Sequence, residues 1–151
     1  MKTLARTLLI TAATLLVCAP TWAQFAKAED AIKYRKSALF VMQQNFSRVA
    51  AMAAGKAPFD AKVALDSATN AEFVSKLPWA AFGEGTDKGD TKAMPEIWKE
   101  QAKFKEYADK FQTEMSKLNV AAKTGNLDNI KVAVNATGGT CKTCHDAYRA
   151  K

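Results

Sequence analysis

Apolar residues recur at spacings of three and four through four separate segments of this chain, and this periodicity limits the possible folds more than any other feature. Such spacing marks one face of an α-helix, whereas a half-buried strand alternates apolar and polar residues, a pattern that no segment carries convincingly. The 151 residues are 48% apolar and 25% charged, as in one ordinary globular domain. The sequence therefore predicts an all-α fold.

Start and stop signals bound the first two predicted helices. The first covers residues 29–53 and stops at Gly55, and Arg35 is the one charged residue on its apolar face. The second begins after Asp60, a suitable N-cap residue, and stops before Pro78. Its apolar face is rich in alanine, which makes it the weaker of the two patterns.

A long connection separates these helices from the other two. Residues 78–95 contain several glycines and aspartates and are predicted to form a loop, and a loop of this length usually serves a function. The third helix is predicted to run uninterrupted over residues 95–122, and the fourth follows a cap at Asn126 or Asp128. Short first and third connections around a long second one predict an antiparallel four-helix bundle, in which cofactors lie between facing helices.

Residues 1–23 have the pattern of a secretory signal peptide. Lys2 and Arg6 precede the uncharged run Thr7–Ala19, and a small-residue cleavage site follows. The run is shorter than the roughly 20 residues that a membrane-spanning helix needs. We expect cleavage after residue 23, which leaves residues 24–151 as one domain in the periplasm, without a membrane segment.

Removal of the signal peptide lowers the formal net charge from +7 to +5, because Lys2 and Arg6 are lost with it. The remaining basic residues are spread along the chain without a basic block or interleaved aromatic residues, which argues against nucleic-acid binding. A net positive charge favours docking onto acidic protein partners.

The chemistry is concentrated in Cys141-Lys142-Thr143-Cys144-His145, which contains the only histidine in the sequence. Cys-x-x-Cys-His is the attachment signature of c-type haem. Two thiols three residues apart stand on one side of a helical turn, where each can add to one vinyl group of the porphyrin. The histidine that follows can present a ring nitrogen to the iron.

Three other uses of this motif are weaker. A structural zinc site needs four ligands, and only three cysteine or histidine candidates remain after residue 23. A thioredoxin-type redox pair needs a βαβ setting, and a disulfide here would close too short a loop to stabilise the fold much. One covalently attached haem c per chain is therefore predicted.

The chain also resembles the cytochrome c′ family, the class II cytochromes c that form four-helix bundles with haem attached near the C-terminus. The resemblance covers essentially all of residues 24–151. The matching motifs are Gln24-Phe25-Ala26-Lys27, Tyr34-Arg35 with Ser37-Ala38-Leu39, Leu77-Pro78-Trp79-Ala80-Ala81-Phe82-Gly83, Pro95-Glu96-Ile97-Trp98, and Cys141-Lys142-Thr143-Cys144-His145-Asp146-Ala147-Tyr148-Arg149.

This resemblance assigns roles to the residues at the haem. It implies that Cys141 and Cys144 form the thioethers, that His145 is the proximal iron ligand and that Arg149 lies beside that ligand. It also implies an antiparallel homodimer formed through the first two helices.

Three further residues are expected at the haem edge. The resemblance implies that Arg35 meets a haem propionate, with Lys36 and Asp90 nearby. The residue pattern agrees for Arg35, because a guanidinium on an apolar helix face needs an anion. The alternative is that Arg35 extends from the edge of that face into solvent.

The sixth coordination position of the iron decides the function. Leu39, one turn after Arg35, resembles the position where five-coordinate family members keep an apolar residue and low-spin relatives place methionine. Phe82 would add a second apolar wall on this distal side. A strong sixth ligand would have to be one of four methionines: Met42, Met52, Met94 and Met115. Core packing is the default for Met42, Met52 and Met115. A five-coordinate, high-spin haem is therefore predicted.

An apolar distal pocket without a hydrogen-bond donor disfavours dioxygen and leaves nitric oxide and carbon monoxide as ligands. The resemblance implies the same preference, with nitric oxide ending on the proximal side near Arg149. The sequence thus predicts a periplasmic protein that binds and sequesters nitric oxide. The alternative is a one-electron carrier between periplasmic redox proteins, and an enzyme is not expected because the pocket lacks a distal acid or base.

Overall fold

The computed structural model describes residues 24–151, so the predicted signal peptide lies outside the described residues. The helices are α1 (Ala28–Ala53), α2 (Ala61–Val74), α3 (Glu96–Lys99), α4 (Gln101–Lys123) and α5 (Leu127–Tyr148), with a short 3-10 helix at Pro78–Ala81. The β structure within residues 24–151 consists of one isolated antiparallel bridge, between Ala93 and Arg149. No helix in this range is long and apolar enough to span a bilayer. The all-α prediction is confirmed.

Helices α1, α2, α4 and α5 form the predicted antiparallel four-helix bundle. Helix α1 packs against α2 and α5, and α4 packs against the same two helices. Thr69 of α2 lies opposite Asn119, whereas Ala61 lies near Gly125, so α2 and α4 run in opposite directions. The side chains buried between the four helices form the main core: Met42, Val49, Met52, Ala64, Ala68, Ala71, Phe111, Met115, Leu118, Ala122 and Ile130.

The helix ends follow the signals in the sequence. The Asp60 carboxylate accepts a hydrogen bond from the Val63 N–H (2.9 Å), and the Asn126 side chain accepts two from the first turn of α5 (2.8 and 3.2 Å). Gly55 and Gly125 follow α1 and α4 with φ values of 68° and 65°, which glycine adopts without a Cβ clash.

The third predicted helix is not continuous, so that prediction is wrong. Glu100 has φ −118° and ψ 42°, which separates the single turn of α3 from α4. The Glu100 carboxylate accepts a hydrogen bond from the Tyr148 hydroxyl (3.0 Å). The apolar spacing continues across the break because Ile97 and Phe104 belong to the same buried cluster, together with Tyr148. The spacing of apolar residues therefore reflects the shared core and does not reveal the break in the backbone.

A polar contact joins α2 to α4. Asn119 is buried, its side-chain oxygen accepts from the Thr69 hydroxyl (3.1 Å), and its amide nitrogen donates to the Glu72 carboxylate. Burial acts to raise the pKa of Glu72, but hydrogen bonds from Asn119 and Ser116 and the charges of nearby lysines outweigh it. The pKa of Glu72 is therefore lowered, which makes its carboxylate a stabilising element of the fold.

Candidate functional site

The two cysteines lie near the C-terminal end of α5 and face two different apolar clusters. Cys141 is partly buried against the main core. Cys144 is partly buried against the aromatic cluster, which we define as Ile97, Phe104 and Tyr148 with the side chains packed on them. His145 is exposed on the side of the helix next to Cys144. The thiols therefore point inward at one end of the bundle, while the imidazole borders solvent.

The protonation states of these groups suit haem attachment better than thiol redox chemistry. Burial raises the pKa of Cys141, and burial together with the charge of Cys141 raises the pKa of Cys144 to about 11. A thioredoxin-type pair depends on a lowered thiol pKa, so the arrangement disfavours that use. Partial burial and the positive charge of Arg149 lower the pKa of His145, against a smaller opposing effect of Asp146. The imidazole is therefore neutral near pH 7, the form that binds metal ions.

Arg149 lies one helical turn beyond His145. Its N–H donates to the His145 carbonyl oxygen (3.1 Å), and its exposed side chain lines a shallow depression together with His145 and Asp146. Asp146 forms an ion pair with Lys142 on the same helix. The structure thus gathers the groups expected on the proximal side. Within residues 24–151, no group of three or more His, Cys, Asp and Glu side chains is placed to hold a metal ion.

Leu39 and Phe82, the two residues predicted for the distal side, come from different elements. Leu39 lies on α1 and packs against the main core, as Cys141 does. Phe82 directly follows the 3-10 helix and packs against the aromatic cluster, as Cys144 does. Its ring centroid lies 4.9 Å from that of Phe104 and 6.2 Å from that of Trp79. Each predicted distal residue therefore shares a cluster with one of the two cysteines.

Arg35 is buried to 2% exposure and its guanidinium is surrounded by neutral acceptors. Nη1 donates to the Ala81 carbonyl and the Thr86 hydroxyl (both 2.9 Å). Nη2 donates to the Thr86 carbonyl (2.7 Å) and the Thr91 hydroxyl (2.8 Å). The guanidinium carbon also lies 4.5 Å from the Phe82 ring centroid. The alternative that Arg35 extends into solvent is therefore wrong.

The positive charge of Arg35 has no nearby counterion in the described part of the chain. No ion pair within 4.0 Å among residues 24–151 involves Arg35. Burial lowers the pKa of its guanidinium. A buried cation is costly unless an anion accompanies it. This unbalanced charge fits the expected propionate, and the contact itself stays a prediction.

Lys36 and Asp90, both expected near the haem edge, form an ion pair. The Lys36 ammonium donates to the Asp90 carboxylate (2.5 Å) and to its carbonyl oxygen (3.1 Å). The two side chains are 50% and 94% exposed, so the pair contributes little to stability. Their position relative to the haem edge stays a prediction.

The sequence analysis missed the residues that hold Arg35 in place. Thr86 and Thr91 lie 51 and 56 residues along the chain from Arg35, too far for any local pattern to connect them. Trp98 was noted only as part of a family motif, yet its ring centroid lies 5.6 Å from the guanidinium carbon. The available signal was indirect: a guanidinium on an apolar face requires acceptors, and the long loop was the segment free to supply them.

Comparison with known proteins agrees with this geometry. Residues 30–149 match the family model described as cytochrome c′. The chain is 54% identical over 129 residues to cytochrome c′ of Rubrivivax gelatinosus, covering 85% of this chain and 100% of that protein. It is 48% identical over 128 residues to cytochrome c′ of Alcaligenes xylosoxydans xylosoxydans, covering 85% of this chain and 99% of that protein.

Solved structures show the same fold. The crystal structure of Rubrivivax gelatinosus cytochrome c′ superimposes with a TM-score of 0.82 at 53% identity, covering 84% of this chain and 100% of that chain. A nitric oxide complex of a mutant cytochrome c prime from Alcaligenes xylosoxidans gives a TM-score of 0.79 at 45% identity, covering 85% of this chain and 99% of that chain.

The residues present fit a covalently bound haem. Two protonated thiols and a neutral imidazole occupy one end of α5. The buried cation Arg35 lies on α1 and forms no ion pair within residues 24–151. Cys141 and Cys144 would hold the porphyrin and His145 the iron. From the fold, the donor set and the family match together, the chain belongs to the cytochrome c′ family, whose members carry one covalent haem c per chain.

Proposed function

We propose that this cytochrome c′ binds nitric oxide and carbon monoxide at a five-coordinate, high-spin haem and that it sequesters nitric oxide in the periplasm. The haem supplies an iron with one open coordination position when His145 is its protein ligand. The observation that carries the proposal is that Leu39, a side chain without a donor atom, packs against the main core, the same cluster against which Cys141 packs.

The methionines support an open position because three of them are used for packing. Met42, Met52 and Met115 are 8%, 5% and 0% exposed and belong to the main core. The Met52 sulfur also accepts a hydrogen bond from the Asp60 N–H (3.5 Å). Met94 lies on the connection before α3, where its N–H donates to the Tyr148 carbonyl oxygen (2.9 Å). Ligation by any of the three core methionines would require repacking of the bundle.

The choice of gas follows from the polarity of the surroundings. The side chains of Leu39 and Phe82 carry no hydrogen-bond donor. Arg35 is the charged group next to Phe82, but its terminal N–H groups already donate to Ala81, Thr86 and Thr91. Dioxygen binding to haem depends on a hydrogen-bond donor near the ligand, so this pocket favours carbon monoxide and nitric oxide. The nitric oxide complex of the mutant Alcaligenes xylosoxidans protein supports the proposal for this chain.

The proposal includes a homodimer formed through α1 and α2. Phe40 on α1 and Phe73 on α2 are 60% and 67% exposed, and Val41 and Val63 on the same helices are 46% and 43% exposed. Exposed apolar side chains on two adjacent helices suit a self-complementary interface. Sedimentation of the purified protein tests the dimer.

A one-electron carrier is the second candidate function. The charge of +5 on residues 24–151 favours docking onto an acidic redox partner. We assign no substrate turnover to the chain, since neither Leu39 nor Phe82 can act as an acid or base.

Optical spectra of the mature holoprotein separate the two candidates. A pyridine haemochrome spectrum establishes the haem type. We expect a high-spin ferric spectrum and a ferrous form that binds carbon monoxide and nitric oxide. A low-spin, methionine-ligated spectrum in both redox states would overturn the gas-binding proposal and favour the electron carrier.

A further inference from the structure

The loop between α2 and α3 is organised around one buried side chain. Arg35 donates hydrogen bonds to the loop at Ala81, Thr86 and Thr91, and its guanidinium carbon lies 4.5 Å from the ring centroid of Phe82. These partners are spread over the loop from its first turn to its last residues. One cation on α1 therefore fixes several points of a segment that has little regular structure of its own.

The contact at Thr91 continues toward the opposite side of the site. The Thr91 hydroxyl oxygen accepts from Arg35 Nη2 (2.8 Å) and from the Ala93 N–H (3.0 Å). Ala93 in turn pairs with Arg149 in the isolated antiparallel bridge. Two hydrogen bonds close that bridge, from the Met94 N–H to the Tyr148 carbonyl and from the Ala150 N–H to the Lys92 carbonyl (both 2.9 Å).

The bridge lies directly after the end of α5. Helix α5 ends at Tyr148, and Arg149 has an extended backbone with φ −122° and ψ 124°. Arg149 follows His145 by one turn, so the bridge holds the chain at the point where it leaves the turn that carries the histidine. Hydrogen bonds at Thr91, joined through the backbone of residues 92–94 to those of the bridge, thus link the arginine beside Phe82 to the segment beside His145.

We propose that Arg35 is a positioning residue for both sides of the haem site. Through Ala81 and Thr86 it fixes Phe82 on the distal side, and through Thr91 it fixes the bridge that holds Arg149 on the proximal side. This inference rests on the proposed function, in which Phe82 borders the ligand and Arg149 lies beside the iron ligand. It adds that the two sides are set by one side chain and are not independent.

Burial makes this arrangement stiff. Arg35 is 2% exposed and Thr86 is 4% exposed, so water cannot readily replace a lost partner of the guanidinium. Hydrogen bonds to a charged group contribute more than neutral ones, and a buried donor left without an acceptor is costly. When a partner of the guanidinium is removed, we therefore expect the loop to rearrange so that the remaining N–H groups keep their acceptors.

The test uses paired variants of the holoprotein at the two threonines. Thr91→Val keeps the side-chain shape and removes the hydroxyl, whereas Thr91→Ser keeps the hydroxyl. Amide hydrogen exchange at Met94 and Ala150 measures how often the two hydrogen bonds of the bridge open. The iron–histidine stretching frequency in the ferrous resonance Raman spectrum reports on the surroundings of His145 on the proximal side. We expect exchange faster by about tenfold or more and a shifted frequency in Thr91→Val, since the variant loses the two hydrogen bonds that the Thr91 hydroxyl accepts and each is worth about 1 kcal/mol. Thr91→Ser should restore both.

The distal branch is tested separately. Thr86→Val removes the hydroxyl that accepts from Arg35 Nη1 and donates to the Gly83 carbonyl, next to Phe82 in the chain. It should raise the carbon monoxide association rate while leaving exchange at Met94 and Ala150 unchanged, because Arg35 keeps its bond to Thr91. Arg35→Lys keeps the charge but not the fork of donors, and it should change the rate and the exchange together. Thr113→Val is the matched control, because the exposed Thr113 hydroxyl donates only to the Asp109 carbonyl on its own helix (2.9 Å).

Two results would overturn the inference. One is bridge exchange in Thr91→Val equal to that of the wild type, and the other is a change that Thr91→Ser does not restore. Hydrogen exchange does not depend on gas binding, so failure of the proposed function, seen as a low-spin methionine-ligated iron, is distinguishable from failure of this inference.

Discussion

Leu39 is the residue whose replacement tests the gas-binding proposal most directly. If its side chain occupies the space beside the open iron position, a diatomic ligand must displace it before binding. Leu39→Ala removes the three carbon atoms beyond Cβ and leaves the backbone of α1 unchanged. We therefore expect the variant to bind carbon monoxide faster than the wild type.

The size of the effect follows from the packing of Leu39. Its side chain lies against the main core, so moving it aside sacrifices apolar contact. At about 0.8 kcal/mol for each carbon group, three groups amount to about 2.4 kcal/mol, which as a barrier corresponds to a rate increase of up to roughly 60-fold. The actual increase is smaller if the side chain keeps part of its contact while it moves.

Flash photolysis of the ferrous carbon monoxide complex measures this rate. Val120→Ala is the control, since Val120 on α4 is 60% exposed and lies outside the proposed dimer interface, and its carbon monoxide association rate should equal that of the wild type. Thermal unfolding of both variants establishes that they remain folded. An unchanged association rate in folded Leu39→Ala would refute the reasoning and place the barrier elsewhere.

Three further changes have defined outcomes. Leu39→Met should give a low-spin optical spectrum and slow carbon monoxide binding, because a thioether then stands where family resemblance places a sixth ligand. The lowered pKa of Glu72 means that its stabilisation is present above the unfolded value near 4.5 and is lost as the pH falls through the lower folded value. Urea titrations at several pH values should therefore show a weaker loss of stability toward acid pH in Glu72→Gln. Asp60→Ala should lower the free energy of unfolding by about 1 kcal/mol through loss of the N-cap, whereas Asp66→Ala, at an exposed ion pair, should cost less than about 0.5 kcal/mol.

Most of the fold could be predicted because local signals and the apolar pattern agree. Asp60 and Asn126 cap their helices with the expected hydrogen bonds, and Gly55 and Gly125 end theirs in the expected conformation. The break at Glu100 could not be predicted, since the contact found there is tertiary: the Tyr148 hydroxyl donates to the Glu100 carboxylate from 48 residues away. Such a contact leaves no trace in the spacing of apolar residues along one helix.

The residues of the site likewise include some that the sequence identifies and others that it does not. Cys141, Cys144 and His145 are recognisable because haem attachment requires these residue types at fixed local spacing. Thr86 and Thr91 carry no such pattern, because their role depends on how the loop folds back over α1. A hydroxyl in a loop is compatible with many environments, so only the folded chain identifies it as a partner of Arg35.

Arg35 shows how the two parts of the site depend on each other. Its four hydrogen bonds run through Nη1 and Nη2, so in the described part of the chain Nε is the donor left for a further partner. The loop satisfies the geometry of the guanidinium but leaves its charge unbalanced, and a buried charge is stable only when an anion compensates it. A haem propionate held by Arg35 would supply that compensation. Arg35 can therefore both position the loop and help to bind the cofactor, because the loop uses its hydrogen-bond donors and the cofactor would balance its positive charge.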